Sequence, residues 1–254
     1  MIDFTLEAYK SYLQAIKASY SNILRFDEFF MAGTIPENFC LLRHDVDRKP
    51  DNALQMAGLE HEAGIRATYY FRAKPHVFIP DIIRNIFKLG HEIGYHYESL
   101  SDANGDMPLA VKDFEMNLAK FREIAPIHTI AMHGRPFKPF DNRDMWRDRR
   151  NHRLLLESYG VLGEAYLDVD YRDIAYITDT GRNWSSTQSN KRDQVNSRIP
   201  SDFGSGNALK QYLNTEPHPK LVFQIHPERW EGTPIRYAIQ WLKDMAVNLV
   251  KKIL

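Results

Sequence analysis

The sequence predicts an α/β protein in which parallel strands and helices alternate to form a barrel. The chain has 254 residues, of which 43% are hydrophobic and 26% are charged, as is ordinary for one large globular domain. Seven strand-like segments alternate with helical ones, a pattern typical of parallel strands with crossover helices. The strand number favours a barrel, closed or incomplete, over an open sheet. Without a clear linker or internal repeat, we expect a single domain over residues 1–254.

An amphipathic helix is expected before the first barrel strand. Residues 5–30 carry apolar side chains at steps of three and four, and Gly33 and Pro36 end this region. We therefore assign residues 1–36 to an N-terminal helical extension.

Strands and helices then follow in turn along the chain. Pro50 and Pro80 stand where the first turn of a helix tolerates proline, and Gly64 and Gly90 stand where such helices end. Short apolar, β-branched or aromatic runs predict strands, which are 39–43, 67–72, 92–96, 129–132, 166–169, 174–178 and 221–225. Further helices are expected at 109–124, 209–213 and 235–253. The polar residues 181–200 predict a long loop, which in a compact domain is usually functional.

Composition excludes some classes of function and location. The 33 basic and 33 acidic side chains cancel, so the chain lacks the basic footprint of a general nucleic-acid binder. Cys40 is the only cysteine, which fits a reducing compartment and excludes an internal disulfide. With no visible secretory signal or membrane span, we expect a cytoplasmic protein. The sequence leaves its oligomeric state open.

Histidine and aspartate concentrate where four of the expected strands end. These ends are the segments 43–48, 95–98, 132–136 and 224–230. Four of the ten histidines occur there, namely His44, His96, His133 and His226. Reactive side chains of a parallel barrel collect at the carboxyl ends of its strands. Carboxylates and imidazoles that meet at one mouth are ligands suited to zinc or a similar divalent ion.

The two aspartates after the first strand suit a division of labour. Asp45 and Asp47 alternate onto the same face of an extended strand, with Val46 between them. One carboxylate can bind a metal ion while the other accepts the proton of an activated water, and an imidazole can protonate the leaving group. By the same alternation, we expect His44 to lie in the core or directly behind the site residues. His91, which precedes its strand, is expected to be structural.

The motifs resemble those of the polysaccharide deacetylase superfamily, the NodB-homology domain of carbohydrate esterase family four. The similar segments are Leu42–Asp47, Gly90–His96 and Val222–His226, in family order. The resemblance implies a metal-dependent hydrolase, most simply a zinc enzyme, that removes acetyl groups from sugars on a single distorted (β/α)7 barrel. The N-terminal helix is additional to that domain. The resemblance makes Asp45 the base, Asp47 and His96 metal ligands, and His226 the general acid.

One position departs from the family pattern. The second metal histidine should fall four residues after His96, where this chain has Leu100. His133 from the next strand end, or Glu98 from the same turn, could supply the third ligand, or the site could bind metal weakly or not at all. We favour His133 as the ligand, and we expect Arg135 to orient Asp45.

Aromatic and basic side chains near the expected mouth suggest how substrate would be bound. Arg182, Trp184 and Trp230 are candidate contacts for a carbohydrate or sugar-nucleotide substrate in surface-polysaccharide biosynthesis. Two alternatives remain open. The same fold could hydrolyse a small linear or cyclic amide, or the chain could be a non-catalytic carbohydrate-binding barrel.

Overall fold

Eight strands, all paired in parallel, form the centre of the fold over the residues that the computed structural model describes, which are 2–135, 137–184, 193–233, 235 and 237–242. The strands are β1 (Ile23–Leu24), β2 (Phe39–Val46), β3 (Thr68–Phe71), β4 (Glu92–Tyr97), β5 (Thr129–Met132), β6 (Gly163–Glu164), β7 (Ala175–Thr178) and β8 (Lys220–Ile225). Their order is β6-β5-β4-β3-β2-β8-β7, and β1 pairs with β2 outside this path. The seven-stranded path curls into a half-barrel, which confirms the predicted distorted (β/α)7 barrel.

Helices surround this sheet. They are α1 (Leu6–Ser19), α2 (Phe26–Met31), α3 (Pro50–Glu62), α4 (Pro80–Lys88), α5 (Ser99–Asp102), α6 (Met107–Arg122), α7 (Arg149–Ser158) and α8 (Gly206–Thr215). Gly64 and Gly90 adopt φ values of 71° and 94°, as glycines that end helices commonly do. Of the helices in the described ranges, none combines the length and apolar character needed to cross a bilayer.

The prediction of one continuous helix over residues 5–30 is wrong, because two helices separated by β1 occupy this region. Helix α1 stops at Ser19, and Tyr20 is extended. The next backbone N–H, of Ser21, donates to the Asn38 side chain at 2.7 Å, and Asn22 accepts from the N–H of Cys40. These backbone groups would otherwise form the hydrogen bonds of another helical turn. Because Asn38 and Cys40 bond to them instead, the helix ends and the chain continues as β1 beside β2.

The predicted strand at 166–169 is also wrong. The strand in this region is β6, which covers only Gly163–Glu164, and the chain turns immediately after it. The buried Glu164 carboxylate accepts the backbone N–H groups of Tyr166 at 2.7 Å and Leu167 at 2.8 Å, and also that of Met132 at 2.8 Å. A carboxylate that gathers these donors favours a turn over a continued ladder.

Two expected elements lie partly outside the described residues. Residues 235 and 237–242 are helical, as predicted, whereas 243–253 are not among the described residues. Of the expected loop at 181–200, the part at 185–192 is likewise outside them.

The N-terminal segment packs against the chain that follows β8. Phe4 is 6% exposed and adopts a left-handed φ of 59°. Its ring stacks on Trp184 with centroids 5.4 Å apart and lies 5.3 Å from that of Trp230. Backbone hydrogen bonds join Phe4 and Leu6 to Glu231. A bulky side chain in this backbone region is uncommon, so its packing must compensate for the conformational cost.

Phe4→Ala should lower the free energy of unfolding by about 3 kcal/mol or more, because a buried aromatic ring leaves a cavity behind. Urea unfolding followed by circular dichroism measures the change. Ile2→Ala is the matched control, since Ile2 is 65% exposed and its loss should change little. Equal midpoints for the Phe4 and Ile2 variants would show that the N-terminal segment does not stabilise the barrel.

Candidate active site

The carboxyl ends of four strands bring the predicted residues together. Asp45 lies near the end of β2 and Asp47 directly after it, while His96 is on β4. His133 follows β5. Its backbone N–H donates to the Tyr97 carbonyl at 2.8 Å, which continues the hydrogen-bond ladder between β4 and β5. His226 follows β8. The expectation that these ends meet at one mouth of the barrel is met for the two aspartates, His96 and His133.

Two imidazoles converge on one carboxylate oxygen. Nε2 of His96 lies 3.5 Å and Nε2 of His133 lies 3.4 Å from Oδ1 of Asp47. This oxygen is buried and has no hydrogen-bond partner among the described residues. A buried carboxylate oxygen without a partner is costly, so its position calls for a ligand.

The other ring nitrogen of each histidine is already engaged. Nδ1 of His96 lies 2.9 Å from the carbonyl of Ala131, and Nδ1 of His133 lies 2.9 Å from Oε2 of Glu98. A carbonyl and a carboxylate accept hydrogen bonds, so each Nδ1 carries a hydrogen. Each Nε2 faces Asp47, and a partner on Nδ1 is the means by which proteins orient histidine ligands.

Burial and charge act differently on the two rings. Burial lowers the pKa of His96 to about 4, although Asp45 and Asp47 oppose this effect. Burial acts in the same direction on His133, but Asp47 and Glu98 outweigh it and raise the pKa to about 9. Burial would raise the pKa of Asp47, whereas the two histidines bring it well below its usual range. The carboxylate is therefore ionised, as a metal ligand must be.

Two distances in this cluster have the size expected between ligands of one zinc ion. Donor atoms bound to one zinc ion at about 2.0–2.1 Å in a tetrahedron lie roughly 3.4 Å from each other, close to the two Asp47–histidine distances. Among the described residues, no group of three or more His, Cys, Asp or Glu side chains is placed so that it could already hold a metal ion. The fit therefore rests on these two distances, the unpartnered oxygen and the oriented rings. Asp47 and His133 remain 19% and 12% exposed, so solvent reaches this edge of the site.

Glu98 and Leu100 occupy other roles than that of a ligand. Both oxygens of Glu98 are engaged, by Arg72 at 2.7 Å, by Arg135 at 2.9 Å and by His133. Leu100 is 4% exposed within α5 and belongs to the core. Of the candidates for a third ligand, His133 is the one with a nitrogen facing Asp47.

Arg43, and not Arg135, holds Asp45. Nε and Nη2 of Arg43 each donate to Asp45 at 2.8 Å, and Nε2 of Gln224 donates at 2.6 Å. Arg135 bonds to Glu98 instead, so the expectation that it orients Asp45 is wrong. Burial would raise the pKa of Asp45, but the Arg43 charge and the nearby His96 bring it to about 2. Asp45 is thus an ionised carboxylate, with Nε2 of His96 at 3.5 Å from its Oδ2.

His226 is oriented by a residue that the sequence analysis did not select. Nδ1 of His226 lies 2.6 Å from Oδ1 of Asp179, and Nε1 of Trp230 donates to Oδ2 at 2.8 Å. Burial and the charge of Arg229 lower the pKa of His226, but Asp179 outweighs them and raises it overall. The imidazole is therefore suited to hold a proton.

The predicted substrate contacts of the two indoles are wrong. Trp184 is 2% and Trp230 is 0% exposed, so neither offers a ring face to a sugar. Trp184 stacks on Phe4 and Phe223, and its Nε1 donates to Asp3 at 2.6 Å. The N-terminal segment covers these rings, which the strand pattern alone could not show.

Arg182 takes part in the same packing. Its guanidinium lies 5.4 Å from the ring centroid of Phe4 and 4.7 Å from that of Tyr237. Its backbone has a left-handed φ of 57°. These aromatic contacts place Arg182 in the packing around Phe4, and its predicted substrate contact stays a prediction.

The two remaining histidines of the motifs are structural, as expected. His44 is fully buried, with Nε2 at 2.6 Å from Glu60, and it stacks on Tyr69. His91 is also buried, and its Nδ1 accepts the backbone N–H of Ala67.

Sequence signals existed for the three residues that were missed. Arg43 is two positions before Asp45, and Gln224 is paired with Arg43 in the register of β2 and β8, so both face the barrel interior with Asp45. Asp179 directly follows β7 and obeys the strand-end rule.

Comparisons with known proteins give structural neighbours of low identity. Neither the protein-family models nor the curated proteins include a match to this chain. Among solved structures, it is similar to a mutant of a carbohydrate esterase family 4 pseudoenzyme with restored activity, with a TM-score of 0.43 and 12% identity over 86% of this chain. The match spans 65% of that neighbour, less than two thirds of its length. A family 4 carbohydrate esterase from Streptomyces lividans, in complex with acetate, gives a TM-score of 0.41 and 13% identity over 86% of this chain and 91% of that one. The function of this chain is therefore argued below from its own side chains.

Proposed function

We propose that this chain is a metal-dependent hydrolase that removes an acyl group, N-acetyl in the first instance, from a sugar or glycan. One observation carries the proposal: two oriented imidazole nitrogens converge on the unpartnered, buried Oδ1 of Asp47. An ionised carboxylate and a proton-bearing histidine accompany them at the neighbouring strand ends. The motif resemblance in 42–47, 90–96 and 222–226 supports the same reaction class.

The proposed holder of the metal is the trio Asp47, His96 and His133. Two nitrogens and one oxygen form a ligand set that suits zinc and leaves a coordination position for water. When bound, such an ion would lower the pKa of water and polarise the acyl carbonyl. Glu98 and the Ala131 carbonyl act behind the trio, because they fix the direction of the two rings.

The proton transfers are assigned to two groups of the chain. Asp45 accepts the proton of the attacking water, and the fixed guanidinium of Arg43 keeps this carboxylate ionised and aimed. Nε2 of His226 delivers a proton to the leaving amine, because Nδ1 is engaged by Asp179. Asp179 in turn stabilises the positive charge of the ring before that transfer.

Metal content and acetate release together test this function. The purified protein is expected to hold about one divalent ion such as zinc per chain, and to release acetate from N-acetylglucosamine oligomers. Acetate release should stop after treatment with a chelator and return on addition of Zn²⁺. Metal content is read by mass spectrometry and acetate by a coupled enzymatic assay.

The outcomes separate the alternatives. Metal-free protein that binds these oligomers without releasing acetate would overturn the proposal in favour of a binding module. Hydrolysis of small linear or cyclic amides with no action on acetylated sugars would overturn the substrate class while keeping the metal chemistry.

A further inference from the structure

The carboxylate of Asp193 is held from three sides near the carboxyl end of β7. Its Oδ1 accepts the hydroxyls of Tyr166 and Tyr176, each at 2.5 Å, and its Oδ2 accepts the hydroxyl of Thr180 at 2.8 Å. Asp193 comes from the polar segment that the sequence analysis assigned to a long loop. Three donors directed to one carboxylate fix this residue of the loop against the barrel.

Two routes of hydrogen bonds connect this carboxylate to Asp45. On the first route, the Tyr166 hydroxyl accepts from Nη2 of Arg43 at 2.9 Å, and Arg43 donates to both oxygens of Asp45. On the second, the single hydrogen of the Tyr176 hydroxyl is shared between two acceptors, Asp193 and Oε1 of Gln224, and Nε2 of Gln224 donates to Asp45 at 2.6 Å. The loop aspartate and Asp45 thus close a ring of six side chains.

Five members of the ring are buried, and Asp193 is partly exposed. Arg43 and Gln224 are 0% exposed, and Tyr166 and Tyr176 are 9% and 3% exposed. The guanidinium carbon of Arg43 also lies 4.4 Å from the ring centroid of Tyr166. Solvent cannot readily replace a lost partner of a buried group, so the buried hydroxyl of Tyr166 depends on Asp193 as its acceptor.

Proton directions explain why a hydrogen-bond acceptor is needed at this position. A phenol has one hydrogen and can also accept. When Tyr166 gives its hydrogen to Asp193, its lone pairs face Nη2 of Arg43. Without an acceptor at Asp193, that hydrogen is free to turn towards Arg43, where two donors would meet.

We propose that Asp193 is a positioning residue for Asp45, acting through the two tyrosines on Arg43 and Gln224. The proposal rests on the proposed function, since it assigns to the loop the task of holding the base of that reaction. Asp193 acts on Asp45 through the ring of hydrogen-bonded side chains, so its role requires no contact with substrate.

Asp193→Ala should lower kcat about 10- to 100-fold, by analogy with the loss of a partner behind a metal ligand, with KM unchanged. Asp193→Asn should recover most of the activity, because the amide oxygen still accepts from the tyrosines. A rise in KM with kcat unchanged would indicate a substrate contact and overturn the positioning role. Asp170→Ala is the control, since Asp170 lies in an exposed ion pair with Arg172 and its loss should leave both constants unchanged.

A double-mutant cycle tests whether the tyrosines carry the effect. Tyr166→Phe/Tyr176→Phe should lower kcat by a factor similar to that of Asp193→Ala, and the triple variant should lose nothing more. If Asp193→Ala lowered kcat by its full factor in the Tyr166→Phe/Tyr176→Phe protein as well, the proposal would be overturned.

A crystal structure of the Asp193→Ala protein supplies a readout that does not depend on activity. The bidentate bonds between Arg43 and Asp45 should be lengthened or lost, while the Asp179–His226 bond stays. An unchanged Arg43–Asp45 pair would overturn the positioning role. Absence of hydrolysis by the wild-type protein would instead count against the proposed function, and the Arg43–Asp45 geometry would still decide the positioning role.

Discussion

Asp45→Asn should lower kcat for acetate release about 10²- to 10⁴-fold, the range attributed to a positioned acid or base. An amide of the same shape cannot accept the proton of the attacking water. Metal content should remain near one ion per chain, because Asp45 is not among the proposed ligands. The measurement is steady-state kinetics on N-acetylglucosamine oligomers, with metal analysis of the same samples.

The single substitution also leaves Arg43 buried without its counter-charge. Breaking a buried ion pair from one side costs about 3–5 kcal/mol, so loss of activity could reflect unfolding. Arg43→Met combined with Asp45→Asn removes both charges, and such replacements are often close to neutral for stability. We expect the double variant to fold as stably as the wild type and to remain inactive. Full turnover in either protein would exclude Asp45 as the base.

His133→Ala should weaken Zn²⁺ binding by more than the loss caused by Glu98→Gln. The glutamate only orients the ring, and loss of such a partner costs about 10- to 100-fold in metal affinity. Removal of the ring itself deletes one of three proposed ligands. Competition with a chromophoric chelator measures both affinities on the same scale.

His128→Ala is the matched control for this comparison. His128 directly precedes β5, at the end of the strand opposite to His133, so its loss should leave Zn²⁺ affinity unchanged. Equal affinities for His133→Ala and wild type would exclude His133 as a ligand, and the departure at Leu100 would then have no replacement.

The strand pattern was sufficient to locate the centre of the site. Period-two alternation and the strand-end rule placed Asp45, Asp47, His96 and His133 at one mouth, because these rules depend only on backbone geometry. The preference for His133 over Glu98 as third ligand stays a prediction, which the placement of the His133 nitrogen beside Asp47 supports.

Long-range packing accounts for what the sequence did not predict. Indole rings such as those of Trp184 and Trp230 can stack on sugars. In this chain Phe4, more than 170 residues away in sequence, packs on both. The arginine beside Asp45 was assigned by motif order to Arg135, whereas strand register supplies Arg43. The predicted helix at 5–30 is interrupted because the Asn38 side chain accepts the backbone N–H of Ser21. Each error comes from a partner that is distant in sequence or that competes locally with regular structure.

The burial of Cys40 has a practical consequence for every variant discussed above. The thiol is 0% exposed on the central strand β2, and burial raises its pKa well above the ordinary value. Alkylating reagents react with the thiolate and need access to it, so the native protein should resist them. As the chain contains one cysteine, the rate of its labelling reports opening of the barrel centre, and a catalytic defect can be told from misfolding with no substrate in the tube.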